Sequence, residues 1–121
     1  MLGIYIHILG VYNGWLNYNV YGKSSEIPRE KIDPDNYKSM KDVLKFKNEV
    51  WRGVEKFIKS LDDDLLRKKV SAPWLPGSHK VADVLMQVSL EQAHHIGEII
   101  ALFWQLNKEP PEMTWIMNTR R

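Results

Sequence analysis

Apolar residues recur three and four apart along two long stretches of the chain, the spacing of one face of an α-helix. In the first, Met40, Val43, Leu44, Val50, Trp51, Val54, Phe57, Ile58 and Leu61 are interleaved with Lys41, Lys45, Lys47, Arg52, Glu55 and Lys59. This predicts an amphipathic helix over about 38–61, opened by Ser39 with Asp42 three residues on, a capping-box spacing. In the second, Val81, Val84, Leu85, Val88, Ile99, Leu102, Phe103 and Leu106 form one stripe, predicting a helix from about Ser78 to Leu106. Ser78 is placed to cap its start, Asn107 to turn left-handed past its end, and Pro110-Pro111 to forbid continuation. At 1.5 Å per residue that helix is roughly 40 Å long, which suits a bundle.

Residues 2–21 put Ile4, His7, Val11, Trp15 and Tyr18 on one helical face, although Gly-Ile-Tyr-Ile-His-Ile also alternates like a strand. Helix is the better reading, because no second strand candidate exists to pair with it. Residues 22–38 hold Gly22, Ser24, Ser25, Pro28 and Pro34 and read as one connection. Residues 62–77 read as another, with one helical turn near Leu65. No internal repeat is evident. The expectation is a single all-α domain over 1–121, a helical bundle with three long helices.

With 121 residues, 44% hydrophobic and 26% charged, the chain has ordinary globular composition and room for one core. Seventeen Lys and Arg against fifteen Asp and Glu leave +2, spread along the chain, which makes nucleic acid an unlikely partner. Absence of cysteine excludes a disulfide framework, a thiol nucleophile and thiolate-ligated zinc, so any metal must sit on His and carboxylate. The apolar start lacks a basic leader and is interrupted by His7, Asn13, Asn17 and Asn19, short of the roughly 20 apolar residues of a membrane span. A cytoplasmic protein without a membrane partner is expected.

Stepping along the last helical stripe from Val88 reaches Glu91, then His95, then Ile99. Two ionisable groups thus occupy apolar positions one turn apart, close enough to share a divalent ion. On this helix alone, a hydrogen-bonded core pair explains them equally well. His7, between Ile4 and Val11, shifts the balance, because a third donor from a facing helix completes two His and one carboxylate with positions left open. His94, about 100° around the helix from His95, should not share that geometry and reads as a partly exposed residue behind the ligands. Glu98, three residues past His95, can hold an imidazole N–H or be a solvated surface residue. His79 reads as a surface residue, and Trp15, Trp51 and Trp104 as packing.

His7-Ile-Leu-Gly-Val-Tyr-Asn-Gly-Trp15, Leu61-Asp-Asp-Asp-Leu-Leu66 and the run from Val81 through Glu91, His95, Gly97 and Glu98 together resemble the DinB/YfiT superfamily of metal-binding four-helix bundles. The resemblance covers nearly the whole chain. It implies a ligand set of His7, Glu91 and His95, with Glu91 standing where the family most often has His. It also implies that the family's opening helix is missing, the chain either starting late or having that surface covered by another copy.

The implied function is a metal-dependent enzyme holding Zn, Ni, Mn or Fe, which activates a thiol or water nucleophile. Thiol transfer with a low-molecular-weight thiol is the first expectation and metal-dependent hydrolysis the second. The rival is a non-catalytic metal-stabilised bundle or stress-linked interaction protein. Tyr12 and Tyr18, with His94 and Glu98, are the titratable groups expected near the site. Three helices carrying Trp15, Trp51, Phe57, Phe103 and Trp104 present more apolar surface than such a monomer can bury, so a homodimer is expected.

Overall fold

The computed structural model describes residues 2–19 and 27–112. Helix α1 spans Leu2–Tyr12 and runs into a π-helical segment, Asn13–Tyr18. Two short 3-10 turns, Arg29–Ile32 and Pro34–Asn36, lie against α1. Helix α2 spans Met40–Lys59, α3 spans Asp63–Arg67 and α4 spans Val81–Gln105. α1 packs against both α2 and α4, making it the shared wall of an all-α bundle.

The amphipathic pattern of α2 becomes a buried stripe of Val43, Phe46, Val50, Val54 and Phe57. These meet Ile6 and Leu9 of α1, Trp15 and Leu16 of the π-helical segment, and Val81, Val84 and Val88 of α4. The Ser39 hydroxyl caps α2, accepting from the Asp42 N–H at 3.4 Å and donating to its carboxylate at 3.0 Å. Met40, Leu44 and Ile58, expected on the buried stripe, are about half exposed because the core takes a narrower face of the helix. Trp15 is buried, whereas Trp104 is 60% exposed.

α1 turns a different face to the core from the one expected. Its sequence is almost uniformly apolar, so periodicity gives no contrast, and contact selects Ile6, Leu9, Asn13 and Leu16 instead of Ile4, His7, Val11 and Tyr18. His7 is thereby exposed. The π-helical segment buries Asn13 and Asn17 as a pair: the Asn17 amide donates to Asn13 Oδ1 at 3.1 Å and to the Val50 carbonyl at 3.2 Å. Gly53 makes this approach possible, because a Cβ there would come within 2.5–2.6 Å of the Asn17 side chain.

The connection after α2 contains the helical turn expected near Leu65, capped by Asp62, whose carboxylate accepts from the Leu65 N–H at 2.7 Å. Two two-residue strands that the sequence does not announce follow, β1 (Lys69–Val70) and β2 (His79–Lys80), antiparallel with Val70 opposite His79. They also correct the start of α4. Residues 79 and 80 are drawn into the ladder, Lys80 takes the cap position without a side-chain cap, and the Val81 N–H finds the Lys68 carbonyl at 2.9 Å, so Ser78 caps nothing. At the other end Asn107 adopts φ 53°, with Asn107 N–H to Trp104 O at 3.0 Å and Lys108 N–H to Phe103 O at 2.9 Å, a Schellman ending. Leu106, expected inside, is exposed at this cap. No helix among the described residues is long and apolar enough to cross a membrane.

Candidate metal centre

His7 on α1 and Glu91 and His95 on α4 come together at the seam of these two helices. One ligand atom from each lies within 4.8 Å of the other two. His7 Nε2 is 4.0 Å from Glu91 Oε2, and the His7 and His95 rings meet edge to face with centroids 4.5 Å apart. The two α4 residues share a face because they are four apart, and α1 brings the third donor across. The site is at the rim of the bundle and not in its core: the side chains of His7, Glu91 and His95 are 55%, 30% and 16% exposed. Both carboxylate oxygens of Glu91 have neighbours, since Gln87 Nε2 donates to Oε1 at 2.8 Å while Oε2 faces His7.

Glu98 sits behind His95. His95 Nδ1 is 3.0 Å from Glu98 Oε2, and this hydrogen bond, first among the causes, holds the Glu98 carboxyl below its usual range. An ionised Glu98 accepts the Nδ1 proton, which leaves Nε2 as the nitrogen with a free lone pair. His94 is exposed and lies outside the His7–Glu91–His95 group. Its Nε2 reaches Glu98 Oε1 at 3.2 Å and its ring lies 5.0 Å from that of His95, so His94, His95 and Glu98 form a second close group. Successive helical residues diverge by about 100°, but both imidazoles bend toward the same carboxylate one turn on.

Tyr12 donates its hydroxyl to Gln92 Oε1, and burial raises the phenol above its ordinary value, so it is a protonated donor beside α4. Tyr18 lies farther off, in a cleft of about 840 Å³ that His7 and Glu91 border. His79, expected at the surface, is half buried in β2 with Nε2 shielded and without a hydrogen-bond partner. The roles of Gln87, Gln92 and Trp74 were not legible: glutamines on an amphipathic helix look like surface residues, and Trp74 lies between prolines in a connection.

A family model of the DinB superfamily matches residues 3–99. The chain belongs to the DinB superfamily. No curated protein matches it. The matched segment of this DinB chain contains all three candidate ligands and ends just past Glu98. Two imidazoles and one carboxylate, with no lysine or arginine paired to Glu91 among the described residues, are a donor set suited to a first-row divalent ion. Ligand atoms sharing one such ion lie roughly 3.3–3.6 Å apart, a little closer than the 4.0 Å between His7 Nε2 and Glu91 Oε2.

Proposed function

We propose that this DinB chain holds one divalent metal ion, Zn, Ni, Mn or Fe, on His7, Glu91 and His95 and works as a metal-dependent enzyme on a small molecule, with thiol transfer as its reaction type. The supporting observation is the convergence of three donor atoms from two helices within 4.8 Å beside an open cleft. The ion, when bound, supplies Lewis acidity that favours the deprotonated form of a thiol or water. With no cysteine in the chain, the thiol belongs to the substrate.

The remaining steps fall to the protein's own groups. Gln87 orients Glu91 through Oε1, leaving Oε2 turned to His7. Glu98 fixes the His95 ring through Nδ1. His7 and Glu91 are the two donors on the cleft wall, where an entering molecule would meet them. The second group, His94, His95 and Glu98, competes for the same imidazole, but its members are already paired with one another on one exposed helix face.

The protein works as a homodimer in this reading, with the outward face of α4 against a second copy. Met86, Leu90 and Trp104 on that face are each about 60% exposed. Zinc titration of chelator-treated protein, followed by elemental analysis, tests the centre: one ion per chain in the wild type, none in His95→Ala, and full occupancy in His94→Ala. Full zinc in His95→Ala, or no saturable site for zinc, nickel or manganese in the wild type, overturns it.

A further inference from the structure

The cleft beside the candidate ligands is lined mainly by apolar residues and glycines. Gly3, His7, Gly10 and Gly14 fall at i, i+4, i+7 and i+11, so they share one face, and His7 stands between positions without side chains. The opposite wall leans over that bare strip. A Cβ on Gly3 would meet Pro34 at 3.6 Å, one on Gly10 would meet Ile32 at 3.8 Å, and one on Gly14 would meet the Trp74 indole at 3.2 Å. Of these, only at Gly14 would a Cβ come closer than ordinary van der Waals contact, so glycine there lets Trp74 approach without shifting.

Trp74 is fixed by other aromatic rings. Its indole meets the buried Trp15 nearly perpendicular, with centroids 5.4 Å apart, and lies 6.4 Å from Tyr18 at 38°. The side chain still remains 53% exposed, unusual for a tryptophan held by two neighbours. The π-helical segment forms this end of the cleft through Asn13, Gly14, Trp15 and Tyr18, and such bulges cluster at functional sites. Along α1, His7 and Gly14 are separated by seven residues, about 10 Å of helix. Among the described lining residues there is no lysine or arginine. A substrate bearing several anionic groups would find no countercharge among those described residues.

We propose that this cleft binds an uncharged aromatic small molecule of one or two fused rings, stacked on Trp74, with a single donor group directed at His7 and Glu91. The inference rests on the metal reading for the donor group alone; the aromatic subsite stands on the walls of the cleft. A volume of about 840 Å³ lies within the range of small-molecule pockets and leaves space for a second reactant such as a thiol.

The test is calorimetric titration of the full chain with 2-naphthol, cyclohexanol and succinate, each against chelator-treated and zinc-loaded protein. 2-Naphthol should bind at one per chain in both forms and tighter in the zinc-loaded one. It should bind at least about tenfold tighter than cyclohexanol, and succinate should not bind the chelator-treated form. Trp74→Ala should weaken 2-naphthol about tenfold. Gly10→Leu, which places a side chain in the strip beside His7, should weaken it by at least as much, and both variants should keep the wild-type zinc stoichiometry. Equal affinity for 2-naphthol and cyclohexanol, or undiminished 2-naphthol binding in both variants, overturns the proposal. One zinc per chain with no preference for 2-naphthol rejects the aromatic subsite and leaves the metal centre standing. Trp74-dependent 2-naphthol binding in a protein that takes up no zinc supports the subsite and rejects the metal centre.

Discussion

Glu98 acts on the candidate centre without being one of its three donors. Its carboxylate holds the His95 ring at 3.0 Å and selects the nitrogen left free. Replacing it by Gln keeps the size and removes the charge, so Glu98→Gln should lower zinc affinity by about 10–100-fold with stoichiometry unchanged, as competition against a chromophoric chelator would show. The same pair has a pH signature. Because the His95 hydrogen bond lowers the Glu98 value, the unfolded chain takes up this proton more readily than the folded one. The stabilisation is complete above the ordinary carboxylate value and is lost as pH falls through the lowered one. Melting of metal-free protein across acid pH should show that loss in the wild type and its absence in Glu98→Gln, with a small amplitude because the carboxylate is solvent-exposed. At Glu91, substitution by Ala should abolish zinc binding, whereas Glu91→His should retain it by replacing one donor with another. Glu91 and His95 were legible in the sequence because ionisable residues interrupt an otherwise apolar stripe. His7 was legible as a candidate donor but not in its exposure, since a uniformly apolar α1 does not show in sequence which face the core takes.

At the scale of elements, legibility followed contrast. α2 alternates charged and apolar residues and appears within two residues of its predicted ends. α1 offers no such contrast, so its buried face and its passage into a π-helical segment depend on packing that only the folded chain supplies. The two-residue strands were invisible because their pairing is set by the closure of residues 69–80, not by composition. The contact of the π-helical segment with α2 rests on Gly53, where a Cβ would overlap Asn17 at 2.5 Å. Gly53→Ala should therefore destabilise the protein by about 1–3 kcal/mol, the cost of overpacking, despite alanine's better helix propensity. Chemical denaturation checks this, and an unchanged or higher midpoint would mean that Asn17 moves aside freely. Asp62→Ala should cost about 1 kcal/mol through the lost cap of α3.

At the scale of the whole molecule, one face of α4 has no partner among the described residues. Along α4, Ala82, Met86, Leu90, Ala93, Gly97, Ala101 and Trp104 form an exposed, uncharged stripe at spacings of three and four. A Cβ on Gly97 would meet nothing within 4 Å, so nothing among the described residues requires glycine there. Glycine inside a helix costs about 1 kcal/mol relative to alanine. The stripe is self-complementary in size. If a second copy is laid antiparallel about a two-fold axis between Ala93 and His94, Leu90 meets Gly97 of the partner subunit and Met86 meets Ala101 of the partner subunit. Leu90 and Met86 then each face a small residue, and both contacts occur twice by symmetry. The proposed homodimer would use this pairing, and light scattering at micromolar concentration should then return about twice the chain mass of 14.2 kDa. Leu90→Arg should give a monomer, since it sets a charge against an apolar surface in both halves of the contact at once. Gly97→Leu should weaken the dimer by filling the space Leu90 needs, while both variants keep one zinc per chain because the stripe lies away from the ligand face. A wild-type mass near that of one chain would refute the pairing, and an unchanged dimer in both variants would move the interface to another face.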